Sequence, residues 1–233
     1  MKNQYFGDKR DYFKYALLEL LMLRHPVFRR LTCVWMLTPD SRNNDGNKPF
    51  GVLPGREHLA SFLIDCRLRG VRNVQELRRY FASTGIDYFA YGDDSSQPFG
   101  RLTRTSYFRS LPADALRDAL VFFDPDNGLA PPGGATAAHI REEELVATFQ
   151  RMTGNGAAVL YQHLPRVRAA TFWPSVVQRL SRLLNTDVAA IAEADVAFLV
   201  APKSPSDLSL IVGTFRVHQK VAASAGHKVA VFV

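Results

Sequence analysis

Three short stretches hold residues whose types and spacing could do chemistry. VFFDPDNGL, residues 121–129, sets Asp124, Asp126 and Asn127 directly behind an apolar run. On an extended chain, a spacing of two points both carboxylates to one side, with Cα atoms about 6 to 7 Å apart. Oxygens so placed can hold a divalent cation. Equally, Asp and Asn side chains ahead of a glycine bond nearby backbone amides in Asx-turns. GDKRDYFKY, residues 7–15, places Lys14 three residues after Asp11 in a segment that is apolar around most of its girth. The two then pair across one helical turn, the alternative for Lys14 being a side chain that snorkels at the helix edge. AAVLYQHL, residues 157–164, ends on Gln162 and His163. A histidine there serves as general base, metal ligand or satisfied structural residue. His25, His58, His139, His218 and His227 have no ligand spacing.

The elements that must position these residues follow from pattern. Residues 9–24 read as a largely buried helix, with Asp8 as N-cap and Asp11 completing a capping box. Residues 31–38, 121–123, 157–164, 196–202 and 228–233 are apolar, β-branched or aromatic runs of strand length, with a weaker strand at 87–91. Helices are expected at about 56–69, 73–83, 140–153 and 169–185. Residues 209–217, SLIVGTFRV, fit neither period well. Residues 39–55 form a long polar loop, rich in turn residues and ending its strand at Asp40, and 127–139 form a second flexible stretch. Strands alternating with helices predict an α/β fold with a doubly wound, mostly parallel, Rossmann-like sheet. In such sheets the carboxyl ends of the strands line the ligand crevice, so Asp40, Asp124, Asp126, Asn127 and His163 are expected on one rim. Lys14 should join them around one hollow. One α/β domain, 1–233, with a helical insertion at about 56–84, accounts for the length.

The 233 residues are 47% hydrophobic and 22% charged, ordinary values for a globular domain. Cys33 and Cys66 make neither a disulfide framework nor a zinc motif, which fits a reducing cytoplasm. No apolar run approaches the roughly 20 residues that span a bilayer. Twenty-nine Lys and Arg against 22 Asp and Glu give a net charge of +7, suited to a polyanion such as nucleic acid. RLTRTSYFR, residues 101–109, interleaves Arg101, Arg104 and Arg109 with Tyr107 and Phe108, a composition for phosphates and stacked bases or for a solvated amphipathic helix.

GDKRDYFKY is similar to the segment G-N-H-A-D-x-L-K-H of the 23S rRNA adenine-N6 methyltransferases. Gly7, Asp11 and Lys14 match, Phe13 is a like-for-like apolar residue, and Tyr15 replaces histidine. The catalytic DPPY of that family closes a later strand, where this chain has Asp124-Pro125-Asp126-Asn127. The resemblance implies a methyltransferase-type sheet, S-adenosylmethionine as cofactor and a nucleic-acid substrate. It also implies that Asp124 accepts a hydrogen bond from an adenine amino group. Two features depart from the family: Asn127 cannot stack on a base as tyrosine does, and no glycine-rich turn follows residues 31–38. VFFDPDNGL also resembles the first motif of the haloacid-dehalogenase phosphohydrolases. Leu129 stands where that family has a hydroxyl residue, and no later strand ends in an acidic pair.

The expected assignment is therefore Asp124, Asp126, Asn127 and His163 at a catalytic rim, and Asp11, Lys14 and Asp40 towards the cofactor. Arg101, Arg104, Tyr107 and Arg109 are expected to face nucleic acid. Asp124→Ala is expected to leave the fold intact while abolishing methyl transfer. The alternatives are a Mg- or Mn-dependent phosphodiesterase or nuclease, drawing on Asp8, Asp40, Asp124, Asp126 and His163, and a non-catalytic nucleic-acid-binding relative.

Overall fold

A computed structural model describes residues 1–41, 46, 48–100 and 104–233. Its sheet is built from β1 (Arg30–Trp35), β2 (Tyr88–Tyr91), β3 (Ala119–Asp124), β6 (Ala157–His163), β7 (Ala189–Glu193), β8 (Val196–Pro202) and β9 (Val229–Phe232). A two-residue ribbon pairs β4 (Gly128–Leu129) with β5 (His139–Ile140). The helices are α1 (Lys9–Arg24), α2 (Glu57–Leu68), α3 (Leu77–Thr84), α4 (Arg104–Arg109), α5 (Glu142–Arg151), α6 (Ala169–Leu184) and α7 (Asp207–Ser224).

The sheet order is β2-β1-β3-β6-β8-β7-β9. Four neighbours, β2, β1, β3 and β6, run parallel. Every residue of β3 is buried, as a central parallel strand covered on both faces requires. Its side chains alternate between the layers: Leu120 and Phe122 join α1, α2, α3 and α7 in one core, and Val121 and Phe123 join α5 and α6 in the other. Burying each such side chain stabilises the fold by about 1.5–3 kcal/mol. The helical stretch between β1 and β2 is their crossover, and Leu59, Leu63 and Phe81 seat it in the first core.

The other half of the sheet departs from the parallel expectation. β8 is antiparallel to β6 and to β7, and β9 is antiparallel to β7. β7 and β8 are joined by only Ala194 and Asp195, with Ala194 at φ 53°. A two-residue connection can only make a hairpin, since parallel neighbours need a long crossover. β7 itself, AAIAE, is absent from the pattern reading because alanine carries almost no strand signal. Residues 209–217 belong to α7. Among the described residues, no helix is long and apolar enough to cross a membrane.

β1 leads through its crossover to β2 on one side, while β3 lies on its other side. The gap between the carboxyl ends of β1 and β3 is therefore the topological switch point, where open α/β sheets bind ligands.

Candidate functional site

The floor of the site begins at the N-terminus of α1. Gly7, at φ 82°, takes the left-handed conformation that glycine adopts without strain. Asp8 then caps the helix, accepting from the backbone N–H groups of Arg10 at 2.9 Å and Asp11 at 3.0 Å. Asp11 departs from the expected capping box. Its carboxylate accepts from the Gly7 N–H at 3.3 Å and the Tyr15 hydroxyl at 3.1 Å. It also pairs with Lys14 Nζ at 2.9 Å, as its spacing requires.

Lys14 is 2% exposed, and its ammonium reaches across to Asp124 Oδ2 at 2.8 Å. The rings of Tyr161, Tyr15, Phe122 and Trp35 stand 5.1 to 5.9 Å from Nζ. Burial alone would lower the Lys14 pKa, but Asp11 and Asp124 reverse the direction and keep it charged. Burial pushes both carboxyls above their usual range, and the lysine only partly offsets that. One cation facing two carboxylates leaves the cluster short of positive charge. Asp124 Oδ1 is buried and has no hydrogen-bond partner among the described residues. Leaving a buried acceptor unpaired costs about 1–3 kcal/mol.

Beyond β3, Asp126 accepts from the Thr38 hydroxyl at 2.5 Å and pairs with the Met1 ammonium at 2.6 Å. Burial works to raise its carboxyl, but those partners hold it below the ordinary value. Gln162 clamps the next turn. Its Oε1 accepts from the Leu129 N–H at 2.8 Å, and its Nε2 donates to the carbonyls of Asn127 at 3.1 Å and His163 at 2.9 Å. Gly128 makes room for this clamp, because at φ 101° a Cβ there would lie 2.4 Å from Gln162 Oε1. Tyr161 and His163 project from the same face of β6, with 2.9 Å between the hydroxyl and Nε2. Burial, with Arg10 adding to it, brings the His163 pKa down to about 4, so the ring is neutral near pH 7. Arg10 is itself ion-paired with Asp195 of the β7–β8 turn.

Two cavities meet here. The first, about 400 Å³, has Asp11, Lys14 and Asp124 as its floor and Asp8, Asp126 and Arg10 in its walls. The second, about 640 Å³, lies towards α6 and is lined by Leu129, Phe172, Val176 and Arg179 among others. Asn127 and His163 belong to both linings. The first wall carries four aspartates. The second carries no carboxylate at all.

Asp11, Lys14, Asp124, Asp126, Asn127 and His163 are thus brought together. Asp40 is not: it is exposed, outside both linings, and accepts from the Gln4 N–H at 3.1 Å. Arg101 lies outside the described residues. Arg104 is 3% exposed and locked to Glu144 at 2.5 Å and the His139 carbonyl at 2.7 Å. Tyr107 donates to the Trp35 carbonyl at 2.6 Å. Arg109 faces solvent. Arg104 and Tyr107 are thus structural, tying 104–109 to residues 136–144 and to the end of β1. Among the described residues, no three His, Cys, Asp or Glu side chains are grouped to hold a metal ion. Asp8 is taken by the helix cap and Asp124 by Lys14.

Sequence reasoning missed the Gln162 clamp, Thr38, and Arg10 with Asp195. Only Gly128, a glycine directly after the polar cluster, hinted at the clamp. No family model matches the chain, and no curated protein matches it.

Proposed function

We propose that this chain is an S-adenosylmethionine-dependent, methyltransferase-like protein that acts on or binds nucleic acid, of the adenine-N6 type. The observation that carries the reading is the Lys14–Asp124 contact. The two segments resembling the methyltransferase motifs lie 110 residues apart at that pair and meet at 2.8 Å beneath a cavity at the carboxyl ends of β3 and β6.

The charges of the first cavity suit such a cofactor. Asp8 and Asp126, although bonded within the chain, give one wall a negative field that suits a cationic ligand, and Arg10, paired with Asp195, sets a guanidinium beside it. Asp124 Oδ1 is an unpaired acceptor buried at the floor. A glycine-rich turn after β1 is missing. In its place Met1 bridges the strand ends, with its nitrogen 3.0 Å from the Met36 carbonyl after β1 and 3.3 Å from the Asp124 carbonyl at the end of β3. The cofactor, when bound, supplies an electrophilic methyl group. The chain's own residues hold the acceptor amine near Asn127 and His163, where both cavities touch.

Differential scanning fluorimetry tests the reading. S-adenosylmethionine at about 100 times its Kd adds about 2.7 kcal/mol of stability, which raises Tm by roughly 5 to 10 °C in a domain of this size. Absence of a shift at millimolar cofactor argues decisively against the assignment. A shift without methyl transfer to any RNA or DNA assigns the non-catalytic relative instead.

A further inference from the structure

We infer that the second cavity receives one unstacked nucleotide of a single-stranded nucleic acid, and that the strand's phosphates run along Arg166, Arg168 and Arg182. The inference rests on the reading above and moves the nucleic-acid surface away from residues 104–109 to the edge formed by α6 and the loop before it.

The cavity has the size and make-up for a base. At about 640 Å³ it falls within the range of small-ligand sites. Its walls are the prolines 131, 132 and 165, Leu129 and Val176, with the half-buried Phe172 ring beside them. An aromatic face among aliphatic walls takes any base by stacking, without needing to read its edge. Among its polar groups, Asn127 and His163 also line the first cavity, so an exocyclic group on the base reaches the wall shared with the acidic site.

The charge at the mouth points to an anion. Arg179 is committed, bonded to Glu142 at 2.6 Å and the Ala130 carbonyl at 2.7 Å, where it fixes the cavity roof. Arg182 is exposed and touches only the Gln178 carbonyl of its own helix, at 3.4 Å. Arg166 and Arg168 stand exposed in the loop that continues from the lining residues Leu164 and Pro165. None of the three forms an ion pair with a described residue, whereas Arg30, Arg69, Arg78 and Arg79 are all paired. A duplex does not fit, because its bases are stacked and paired and cannot enter without being extruded.

Fluorescence anisotropy with a fluorescein-labelled 12-nucleotide single-stranded RNA tests this, with the annealed duplex and free AMP as competitors. The wild type should prefer the single strand at least tenfold over duplex. Arg182→Glu and Arg168→Glu should each weaken binding about tenfold or more. Arg117→Glu, an equal charge change at the exposed amino end of β3, should leave it within twofold. Phe172→Leu, which keeps an apolar side chain in the core while removing the flat ring, should weaken binding at least fivefold with Tm preserved. Equal binding of duplex, displacement of the strand by equimolar AMP, or indifference to both Phe172→Leu and Arg182→Glu overturns the inference. The cofactor shift, measured on the same variants, separates the two readings. Ring- and arginine-dependent RNA binding without a cofactor shift keeps this inference and ends the methyl-transfer reading. A shift with indifferent RNA binding does the reverse.

Discussion

Lys14 is the residue on which the site's stability and chemistry both turn. A lysine buried to 2% is tolerable only because two carboxylates meet it, and removing one member of a buried ion pair typically costs about 3–5 kcal/mol. Lys14→Met should therefore lower stability by that amount, read as a urea midpoint shift at unchanged slope. Asp124→Ala should be destabilising too, because it leaves Lys14 with half its counter-charge. Asp124 is 1% exposed, so the substitution should cost stability as well as any activity. A double-mutant cycle between positions 14 and 124 should give a coupling of about 0.5–3 kcal/mol, and zero coupling contradicts the contact. A second residue-scale prediction concerns acid. His163 and His218 both have pKa values near 4 against an ordinary 6.5: burial lowers each, reinforced by Arg10 for His163 and by Arg56 for His218. Between pH 6.5 and 4 the unfolded chain binds the protons that the folded chain refuses. The contribution is thus fully present above pH 6.5 and is lost as pH falls towards 4. His218→Gln should flatten the slope of Tm against pH in that window, and an unchanged slope contradicts the assignment.

At the scale of elements, legibility followed how much of an element's signal is local. β3, β6 and β8 were readable because a strand buried on both faces is one continuous apolar run. β7 was not, because its three alanines, Ala189, Ala190 and Ala192, are strand residues only through pairing with β8 and β9. The cap at Asp8 and the Asp11–Lys14 spacing were likewise legible, lying within one helix. The Gln162 clamp was not, since its partners sit on a different element and the need for Gly128 appears only once φ is known. That joint carries its own prediction. Gly128→Ala places a methyl 2.4 Å from Gln162 Oε1 and forces a side chain into positive φ at 101°. The φ strain alone costs about 1–2 kcal/mol, and displacing Gln162 leaves the Leu129 N–H unpaired. Gly128→Ala should destabilise by about 2–4 kcal/mol by urea titration. Adding Gln162→Ala should recover none of the φ strain, so the double variant should remain at least 1 kcal/mol below Gln162→Ala alone.

The whole molecule separates its charges. One cavity at the carboxyl side of the sheet is lined by four aspartates, and the next by Arg179, paired with Glu142, and the unpaired Arg182, while the net charge of +7 is spread along the chain. Composition revealed the excess of positive charge but not its location: Arg104, which looked free in the sequence, is spent on Glu144, and Arg182, which stood out in no motif, is unpaired. A diffuse field and a localised track make different predictions about salt. Each phosphate neutralised on a single strand contributes about −0.7 to the slope of log K against log salt. If Arg166, Arg168 and Arg182 form the track, the slope should be near −2, and Arg182→Glu should make it shallower by about 0.7 while Arg117→Glu leaves it unchanged. A purely diffuse attraction treats the two substitutions alike, because both change the net charge equally. Anisotropy titrations from about 50 to 200 mM salt, a range in which multi-phosphate contacts change affinity steeply, decide between them: equal slopes for Arg182→Glu and Arg117→Glu would remove the track and leave only the overall charge.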